Sequence, residues 1–428
     1  MKQVTEEKII NRLKKLSQTD KKIIIGGCLP KANLDRIKRE IPFYSAILDT
    51  RSINKLPKLI EKVAKGEKPI EFSEEVFSKP SFAKSFGLTG IVQISEGCDL
   101  SCTYCSTTIS RGDLSCFSIE EIVRGVSTLV KSESKEILLT SQDNGAYKYG
   151  KKNLPDLLDA ICKIDADFYF RNGMSNPVYL HSFLDRLICS YKNPKIYKFL
   201  HIPVQSGSDT VLKEMKRGYK TERFLEIVER FRKEIPELTV FTDIIVGFPT
   251  ETEDDFKQTL DLLKQTKPDM VNVSKFGKRP GTKAAEMEGV GDKIVKKRSA
   301  ECSELAAKFS LENNKKWVGW NGMVFVNEVD QNKNLIQISG EDQPFSLEKK
   351  RFEIVSPIKE TRDISATIML EMQIPKETIV QITEETVFIG RNFAYKKVLI
   401  KSEKNLLGIE VDVQIVDAKQ TYLVGEII

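Results

Sequence analysis

Six short apolar segments alternate with segments of helical spacing between about Leu88 and Met287, and this alternation constrains the fold more than any other feature. The apolar segments are TGIVQIS, KEILLTS, DFYFRNG, KFLHIPVQ, TVFTDIIVGFP and MVNVSKF. Repeated strand–helix units of this length predict a parallel sheet or barrel. Six strands are too few for a closed eight-stranded barrel, so we predict a partial (β/α) barrel within an α/β fold.

The segments on either side of these units predict two smaller domains. Residues 5–18, 33–40 and 53–65 have helical spacing, and Lys22–Ile25 has the composition of a buried strand. The last hundred residues contain strand-like segments separated by turns, which predict a small all-β barrel. We therefore divide the chain into an N-terminal α/β domain at 1–75, a linker at 76–86, the partial barrel at 87–312 and the all-β domain at 313–428.

Composition excludes some classes of function. No stretch approaches the roughly 18 apolar residues of a membrane helix, and the N-terminus lacks the apolar core of a signal peptide. We therefore expect a cytoplasmic protein with no membrane partner. A net charge of +6 permits a nucleic-acid partner without requiring one. Only His181 and His201 are available as imidazole ligands, which argues against a His-rich zinc or di-iron site.

Three of the eight cysteines, Cys98, Cys102 and Cys105, form a C-x3-C-x2-C run directly after the first apolar segment. Thiolates are the ligands that select iron–sulfur clusters or zinc. Structural zinc takes four ligands, and here only three are local, with no histidine nearby. Three thiolates on one loop suit a 4Fe–4S cluster that leaves one iron open to an external ligand. A zinc site completed by a distant cysteine is the alternative.

This spacing, with the aromatic Tyr104 just before the third cysteine, resembles the radical S-adenosylmethionine (SAM) superfamily. The resemblance implies that SAM binds the open iron through its amino and carboxylate groups. One electron, which an electron donor protein must supply, then cleaves SAM to methionine and a deoxyadenosyl radical. The protein positions the reactants and excludes water.

Further motifs resemble those of the archaeal and eukaryotic-type methylthiotransferases that act on threonylcarbamoyladenosine in tRNA. They are SRG at 110–112, LLTSQDNGAYKYG, RNGMSNP, HIPVQSGSDTVLKEMKRGY, DIIVGFPTETEDDF and VSKFGKRPGTKAAEM. The resemblance implies that a C–H of the adenine beside the anticodon is exchanged for a methylthio group. One SAM supplies the methyl group and another the radical.

The loops after the predicted strands provide the candidate binding residues, because (β/α) barrels build their sites at the C-terminal ends of strands. We expect SAM or substrate contacts from Gln142, Asp143, Arg171 and Gln205, and an adenine pocket shaped by Gly247, Phe248 and Pro249. We expect Lys275, Lys278 and Arg279 to meet RNA phosphate. Ordinary solvation of strand ends and of a basic loop is the alternative for each.

GRNFAYKKVLIK and LGIEVDVQIVDAKQTYLVGEII resemble the TRAM domain, a small RNA-binding β-barrel, and KKWVGWNGMVFVNE resembles its first strand. Arg391, Tyr395, Lys396 and Lys397 interleave aromatic and basic side chains, as expected where bases stack and phosphates are neutralised. The predicted partner is tRNA. An insertion at about 329–384 separates the first strand from the remainder, where the family would have a short turn.

The N-terminal domain departs from the family, which holds a second cluster on three cysteines there. Cys28 matches the third of these cysteines, and the other two should lie upstream, in a region that this chain does not have. One thiolate cannot hold a 4Fe–4S cluster alone. We therefore expect one cluster. Two alternatives stay open, a radical SAM enzyme that uses a single cluster and a tRNA-binding relative that has lost sulfur transfer.

Overall fold

The computed structural model of the chain describes residues 3–73, 83–330 and 386–428. Beyond Asp330, the insertion predicted at about 329–384 lies outside the described residues. Within the described ranges, no helix is both long and apolar enough to cross a membrane.

The N-terminal part is a small α/β unit, as predicted. Its strands are β1 (Ile24–Gly26), β2 (Ala46–Leu48) and β3 (Ile70–Glu71), and its helices are α1 (Gln3–Leu16), α2 (Cys28–Ala32), α3 (Leu34–Glu40) and α4 (Leu56–Ala64), with a 3-10 helix at Thr50–Lys55. The three strands pair in parallel in the order β1-β2-β3. Ile10, Ile25, Ile37 and Ile47 are buried between the sheet and its helices and form a separate core.

The central part contains the predicted parallel strands. Its strands are β4 (Ala83–Phe86), β5 (Thr89–Gln93), β6 (Ser95–Glu96), β7 (Ser115–Cys116), β8 (Glu136–Thr140), β9 (Lys148–Tyr149), β10 (Lys152–Asn153), β11 (Tyr169–Arg171), β12 (Phe199–His201), β13 (Thr239–Val246) and β14 (Met270–Lys275). The sheets β11-β8-β5-β4 and β12-β13-β14 are joined by a parallel bridge between Phe170 and Ile196. The six parallel strands β5, β8, β11, β12, β13 and β14 therefore follow one another in chain order.

Helices cover the outer face of these strands. They are α5 (Thr107–Arg111), α6 (Ile119–Lys131), α7 (Leu154–Cys162), α8 (Pro177–Leu180), α9 (Leu184–Tyr191), α10 (Asp209–Glu214), α11 (Thr221–Glu234), α12 (Glu253–Thr266), α13 (Lys283–Glu286) and α14 (Asp292–Lys315), with 3-10 helices at Asn144–Ala146 and His181–Phe183. Along β13, Val240, Ile244 and Val246 are fully buried in the core under the helices, whereas Phe241 and Asp243 are half-buried on the other face. This alternation gives an open barrel with a lined interior, and the predicted partial (β/α) barrel is confirmed.

The C-terminal part is a closed five-stranded β-barrel, as predicted. Its strands are β15 (Asn321–Val329), β16 (Thr386–Arg391), β17 (Lys397–Ser402), β18 (Glu410–Ala418) and β19 (Leu423–Ile427), paired in the order β15-β16-β17-β19-β18. Its core contains Val324, Phe388, Ile400, Val413 and Leu423, all nearly or fully buried. Closure leaves no free edge on these strands, which suits a small all-β unit.

The β-barrel packs against the end of the partial barrel at which the parallel strands begin. Asn327 donates a 2.9 Å hydrogen bond to Glu136, the first residue of β8. The backbone N–H of Lys198, just before β12, donates to the carbonyl of Phe393 at 2.8 Å. Asp269, just before β14, forms an ion pair with Lys396. The C-terminal ends of the strands are therefore left free for a functional site.

Candidate functional site

The three clustered cysteines lie on a loop at the C-terminal end of the first parallel strand, between β6 and α5. Cys98, Cys102 and Cys105 are half-buried free thiols. The N–H of Cys98 donates to the carbonyl of Gly112 at 3.2 Å, and the N–H of Cys105 donates to the carbonyl of Cys102 at 3.1 Å. The backbone therefore holds the loop closed on itself.

Neighbouring strand-end loops fix the cysteine loop from two sides. Gly97 has a φ of +79°, and a Cβ there would lie 2.1 Å from the carbonyl oxygen of Asp113, so only glycine fits. The N–H of Gly97 donates to Oε1 of Gln142 at 2.8 Å. The N–H of Thr103 donates to the carbonyl of Met215 at 3.1 Å. These contacts hold the three thiols in place before any cofactor binds.

Burial favours the protonated form of two of these thiols, Cys98 and Cys102. It raises the pKa of Cys98 to about 12, opposed by a hydrogen bond from the backbone of Leu100. It also raises the pKa of Cys102, opposed by the positive charge of Arg217. Coordination to iron deprotonates a thiol outright, so metal binding would release a proton from Cys98 and from Cys102.

The three cysteines have the donor chemistry of iron–sulfur cluster ligands. Within the part of the chain that the structure describes, no three His, Cys, Asp or Glu side chains converge on a position for one ion. Each thiolate that holds a 4Fe–4S cluster binds a different iron, so these ligands lie farther apart than those around a single zinc ion. Three half-buried thiols on one fixed loop therefore fit the 4Fe–4S cluster predicted from the spacing.

Arg217 is a site residue that was not predicted from the sequence. It is 6% exposed, and its Nη1 donates to Sγ of Cys102 and to the hydroxyl of Tyr104, both at 3.4 Å. Its Nη2 donates to the carbonyl of Pro203 at 3.1 Å. The residue lies within the motif HIPVQSGSDTVLKEMKRGY, and its place in that motif, two residues after the apolar Met215, is the signal that could have identified it.

Gln142 and Asp143, which were predicted to contact SAM or substrate, lie beside the cysteine loop and have partners within the protein. Gln142 holds Gly97, as described above. Asp143 is 2% exposed, and its Oδ1 accepts from the N–H groups of Gly145 and Asn176 at 3.0 and 3.1 Å. Burial raises the pKa of Asp143 to about 7. Their contact with SAM or substrate stays a prediction.

Gln205 lies on the loop after β12 and has left-handed backbone geometry, with a φ of +75°. This conformation costs a non-glycine residue about 1–2 kcal/mol, and such costs concentrate at functional sites. Its N–H donates to the carbonyl of Asp243 at 2.8 Å, which attaches the loop to β13. Gln205 is half-buried, in keeping with a role at the site.

The segment Gly247, Phe248 and Pro249 follows β13, and the structure places it behind the cysteine loop. Phe248 is fully buried in an apolar cluster with Val211 and Met215, against which Tyr104 packs. Pro249 is half-buried. Phe248 therefore supports the cysteine loop through Tyr104, and its predicted role in an adenine pocket stays a prediction.

Arg171 was predicted to contact SAM, but its side chain faces the C-terminal barrel. Its guanidinium carbon lies 5.4 Å from the ring centroid of Phe199 and 5.2 Å from that of Tyr395.

The interior of the partial barrel contains a group of polar side chains that the sequence did not indicate. His201 Nε2 lies 2.7 Å from Asp243, and Asn272 donates to the same carboxylate at 2.5 Å. These side chains give the apolar interior a polar patch.

The residues predicted to bind RNA fall into two groups. Lys275 is exposed at the end of β14, and on the loop that follows, Lys278 is exposed and Arg279 is half-buried. Lys278 donates to the carbonyl of Met287 at 3.0 Å. Lys397 and Arg391 are half-buried on the β-barrel, and Arg391 lies over the Tyr395 ring at 5.0 Å. An RNA contact at these positions stays a prediction.

For Tyr395 and Lys396, which were also predicted to bind RNA, the structure shows partners within the protein. The Tyr395 ring packs against Tyr197 and Phe199 at centroid distances of 4.8 and 5.1 Å, so its faces are not open to a base. Lys396 is 6% exposed, and its ammonium forms a 2.7 Å ion pair with Asp269. Both residues join the two barrels, because the Tyr395 ring and the Lys396 ammonium contact side chains of the partial barrel.

Cys28 lies at the start of α2, the helix of the N-terminal domain that packs against α5. Arg111 Nε donates to Sγ of Cys28 at 3.1 Å, and Arg111 Nη1 pairs with Glu96 at 3.1 Å. Arg51 Nε donates to the carbonyl of Arg111 at 3.1 Å. Cys28 therefore contacts α5, the helix that follows the cysteine loop, and no group of three metal-binding side chains surrounds it among the described residues.

Comparison with known proteins agrees with this fold and site. The family model described as the Radical SAM superfamily matches residues 92–263, which contain all three clustered cysteines. The partial barrel and its cysteine loop are thus those of a radical SAM enzyme.

Proteins of similar sequence identify the family within this superfamily. "Probable threonylcarbamoyladenosine tRNA methylthiotransferase" of Pyrococcus horikoshii is 41% identical over 325 residues, covering 74% of this chain and 76% of that protein. The protein of that name from Archaeoglobus fulgidus is 39% identical, covering 78% and 80%. "Threonylcarbamoyladenosine tRNA methylthiotransferase" of Drosophila melanogaster is 30% identical, covering 100% of this chain and 69% of that protein. The chain belongs to the threonylcarbamoyladenosine tRNA methylthiotransferase family.

Proposed function

We propose that this chain is a radical SAM enzyme that exchanges a C–H of threonylcarbamoyladenosine, beside the anticodon of tRNA, for a methylthio group. The observation that carries the proposal is the set of three free thiols, Cys98, Cys102 and Cys105, on one fixed loop at the strand ends. Membership of the methylthiotransferase family adds the substrate class. A protein that only binds tRNA has no use for a cluster with an open iron.

When bound, the 4Fe–4S cluster supplies the electron that cleaves SAM to methionine and a deoxyadenosyl radical. The residues of this chain would hold the cluster and exclude water from it. The three cysteines would hold the cluster, while Gln142 fixes their loop through Gly97. Phe248 and its apolar neighbours exclude water behind Tyr104. The β-barrel covers the opposite end of the partial barrel, so substrate enters from the side of the cysteine loop.

We further propose one 4Fe–4S cluster in this chain, an external one-electron donor protein, and sulfur delivery from the side on which Cys28 lies. The basic groups that remain available for tRNA phosphate are Lys275, Lys278, Arg279, Arg391 and Lys397. We also propose that the domains are bounded at residues 75, 87 and 313, as predicted from the sequence.

Iron and acid-labile sulfide per chain, measured after anaerobic reconstitution, test the cluster. We expect about four irons in the wild-type protein. Cys102→Ala should lose them, because two thiolates are too few to hold the cluster. Cys189→Ala is the matched control, because Cys189 is an exposed thiol away from the loop, and it should load normally.

Two other outcomes of the iron measurement would contradict this expectation. About eight irons would mean that Cys28 and other ligands complete a second cluster, which would overturn the single-cluster proposal. Iron that binds equally to Cys102→Ala would contradict the assignment of the site.

A further inference from the structure

Arg217 is a buried cation whose partners in the structure are all neutral. Its guanidinium contacts the carbonyl of Pro203, the hydroxyls of Tyr104 and Tyr219, and the thiol of Cys102. Among the described residues, no carboxylate forms an ion pair with it. Burying a charge without a counter-charge costs free energy of folding, so we expect a neighbouring group to supply the counter-charge.

The nearest carboxylate does not provide that counter-charge by contact. Asp143 is influenced by the charge of Arg217, but its Oδ1 already accepts hydrogen bonds from the backbone of Gly145 and Asn176. Burial favours the neutral form of Asp143. Of the groups that contact Arg217, the one that would become negative on binding iron is Sγ of Cys102, at 3.4 Å.

The cluster proposed for this loop would supply the missing negative charge. A 4Fe–4S core of charge 2+ on three thiolates carries one net negative charge, and it carries two after accepting one electron. A nearby cation and an N–H···S hydrogen bond both stabilise the more negative state. Net charge and hydrogen bonds to sulfur are the factors by which proteins set the reduction potentials of such clusters.

We propose that Arg217 raises the reduction potential of the 4Fe–4S cluster through its contact with Cys102, and so makes the cluster easier to reduce. This inference rests on the proposed function, because it requires a cluster on the three cysteines. The step is the transfer of one electron from an external one-electron donor to the cluster, and no bond forms or breaks. Arg217 acts as a positioning residue, held in place by the carbonyl of Pro203.

The test is a redox titration of the reconstituted full chain without SAM. Titanium(III) citrate with redox mediators sets the potential, and the electron paramagnetic resonance signal reports the reduced cluster. In Arg217→Gln the equilibrium for reduction should become at least tenfold less favourable, which is about 59 mV for a one-electron couple. Arg217→Lys keeps the charge, so its equilibrium should stay within about threefold of the wild type.

Two control variants separate charge from packing. Tyr219→Phe removes a hydroxyl that accepts from Arg217 Nε but keeps the guanidinium, so the potential should not change. Arg186→Gln removes an exposed arginine that pairs with Asp156, and it should also leave the potential unchanged. A shift confined to Arg217→Gln supports the proposal.

Equal potentials in the wild type and a fully loaded Arg217→Gln would overturn the proposal and leave the proposed function intact. If Arg217→Gln does not load iron, Arg217→Lys decides. If Arg217→Lys loads iron normally and its reduction potential is unchanged, the result supports the role of charge. If it loads iron normally but its equilibrium for reduction changes tenfold, the result overturns the proposal. A wild-type protein that binds no iron would instead contradict the proposed function itself.

Discussion

Replacing Lys396 with methionine should weaken the junction between the two barrels. The ammonium of Lys396 lies 2.7 Å from Asp269 and 3.1 Å from the side-chain oxygen of Asn314, and the Lys396 and Asp269 side chains are only 7% and 9% exposed. Methionine keeps most of the side-chain length but removes the charge, so Asp269 stays buried without its main partner.

The remaining contacts of Asp269 set the size of the effect. Removing one partner of a buried ion pair costs roughly 3–5 kcal/mol. Asp269 still accepts from the N–H of Val240 at 2.9 Å, and Arg232 lies 3.7 Å away. We therefore expect the lower end of that range, about 3 kcal/mol, as the loss in free energy of unfolding.

Tryptophan fluorescence during urea unfolding measures this loss in the relevant domain. The chain has two tryptophans, Trp317 and Trp320, and both pack in the core of the C-terminal barrel. With a denaturant dependence of about 1–3 kcal/mol per molar urea, the midpoint should fall by roughly 1–3 M.

Lys397→Met is the matched control for this experiment. Lys397 is half-buried on the same strand region, and its loss should change stability by less than about 0.5 kcal/mol. It should instead weaken tRNA binding and lower the salt dependence by about one phosphate contact, an effect that Lys396→Met should not have. An unchanged midpoint in Lys396→Met, or equal destabilisation by the control, would refute the assignment of Lys396 to the junction.

Three further substitutions test the environment of the site. Asp143→Asn should stabilise the iron-free protein at pH 8 by up to about 4 kcal/mol in urea unfolding, because folding raises the pKa of Asp143 from 3.8 to about 7. Wild-type stability from this group is highest below pH 4 and is lost as pH rises towards 7, so the advantage of Asn should narrow at pH 5; an equal advantage at both pH values would contradict this. Gly247→Ala should destabilise by more than about 2 kcal/mol in thermal unfolding, because φ is +75° and the new Cβ would lie 2.5 Å from Val295. Arg298→Met should cost about 3 kcal/mol near neutral pH, because it leaves the buried Glu251 without its 2.8 Å partner, and wild-type melting temperatures would disprove that pairing.

The arrangement of the partial barrel could be predicted because its signals are local. Each of the six parallel strands is a short apolar run followed by a helix with an apolar face, so period and length identify it without tertiary information. The cysteine loop was predictable for the same reason, since C-x3-C-x2-C places three ligands on one turn of chain. The strand Ala83–Phe86 was not predicted and fell in the segment expected to be a linker. Its order comes from backbone pairing with Thr89–Gln93, which side-chain patterning does not reveal.

Long-range contacts account for the functional residues that the sequence did not reveal. Arg217 touches Cys102 across 115 residues, and Lys396 meets Asp269 across 127. In the sequence, Tyr395 and Lys396 have the alternating aromatic and basic pattern of an RNA-binding strand. Their burial depends on where the β-barrel packs, which no local pattern encodes. The same physical chemistry that suits RNA, a cation beside a flat ring, also suits a domain junction.

The most direct test of the account is analysis of nucleosides from tRNA that carries threonylcarbamoyladenosine. The reconstituted protein is incubated anaerobically with this tRNA, SAM, a one-electron reductant and sulfide, and the digested tRNA is examined by mass spectrometry. We predict the 2-methylthio derivative together with deoxyadenosine, both absent with Cys102→Ala and both present with Cys189→Ala. Deoxyadenosine with unchanged threonylcarbamoyladenosine would show that the chain cleaves SAM without transferring a methylthio group, which would contradict the proposed function.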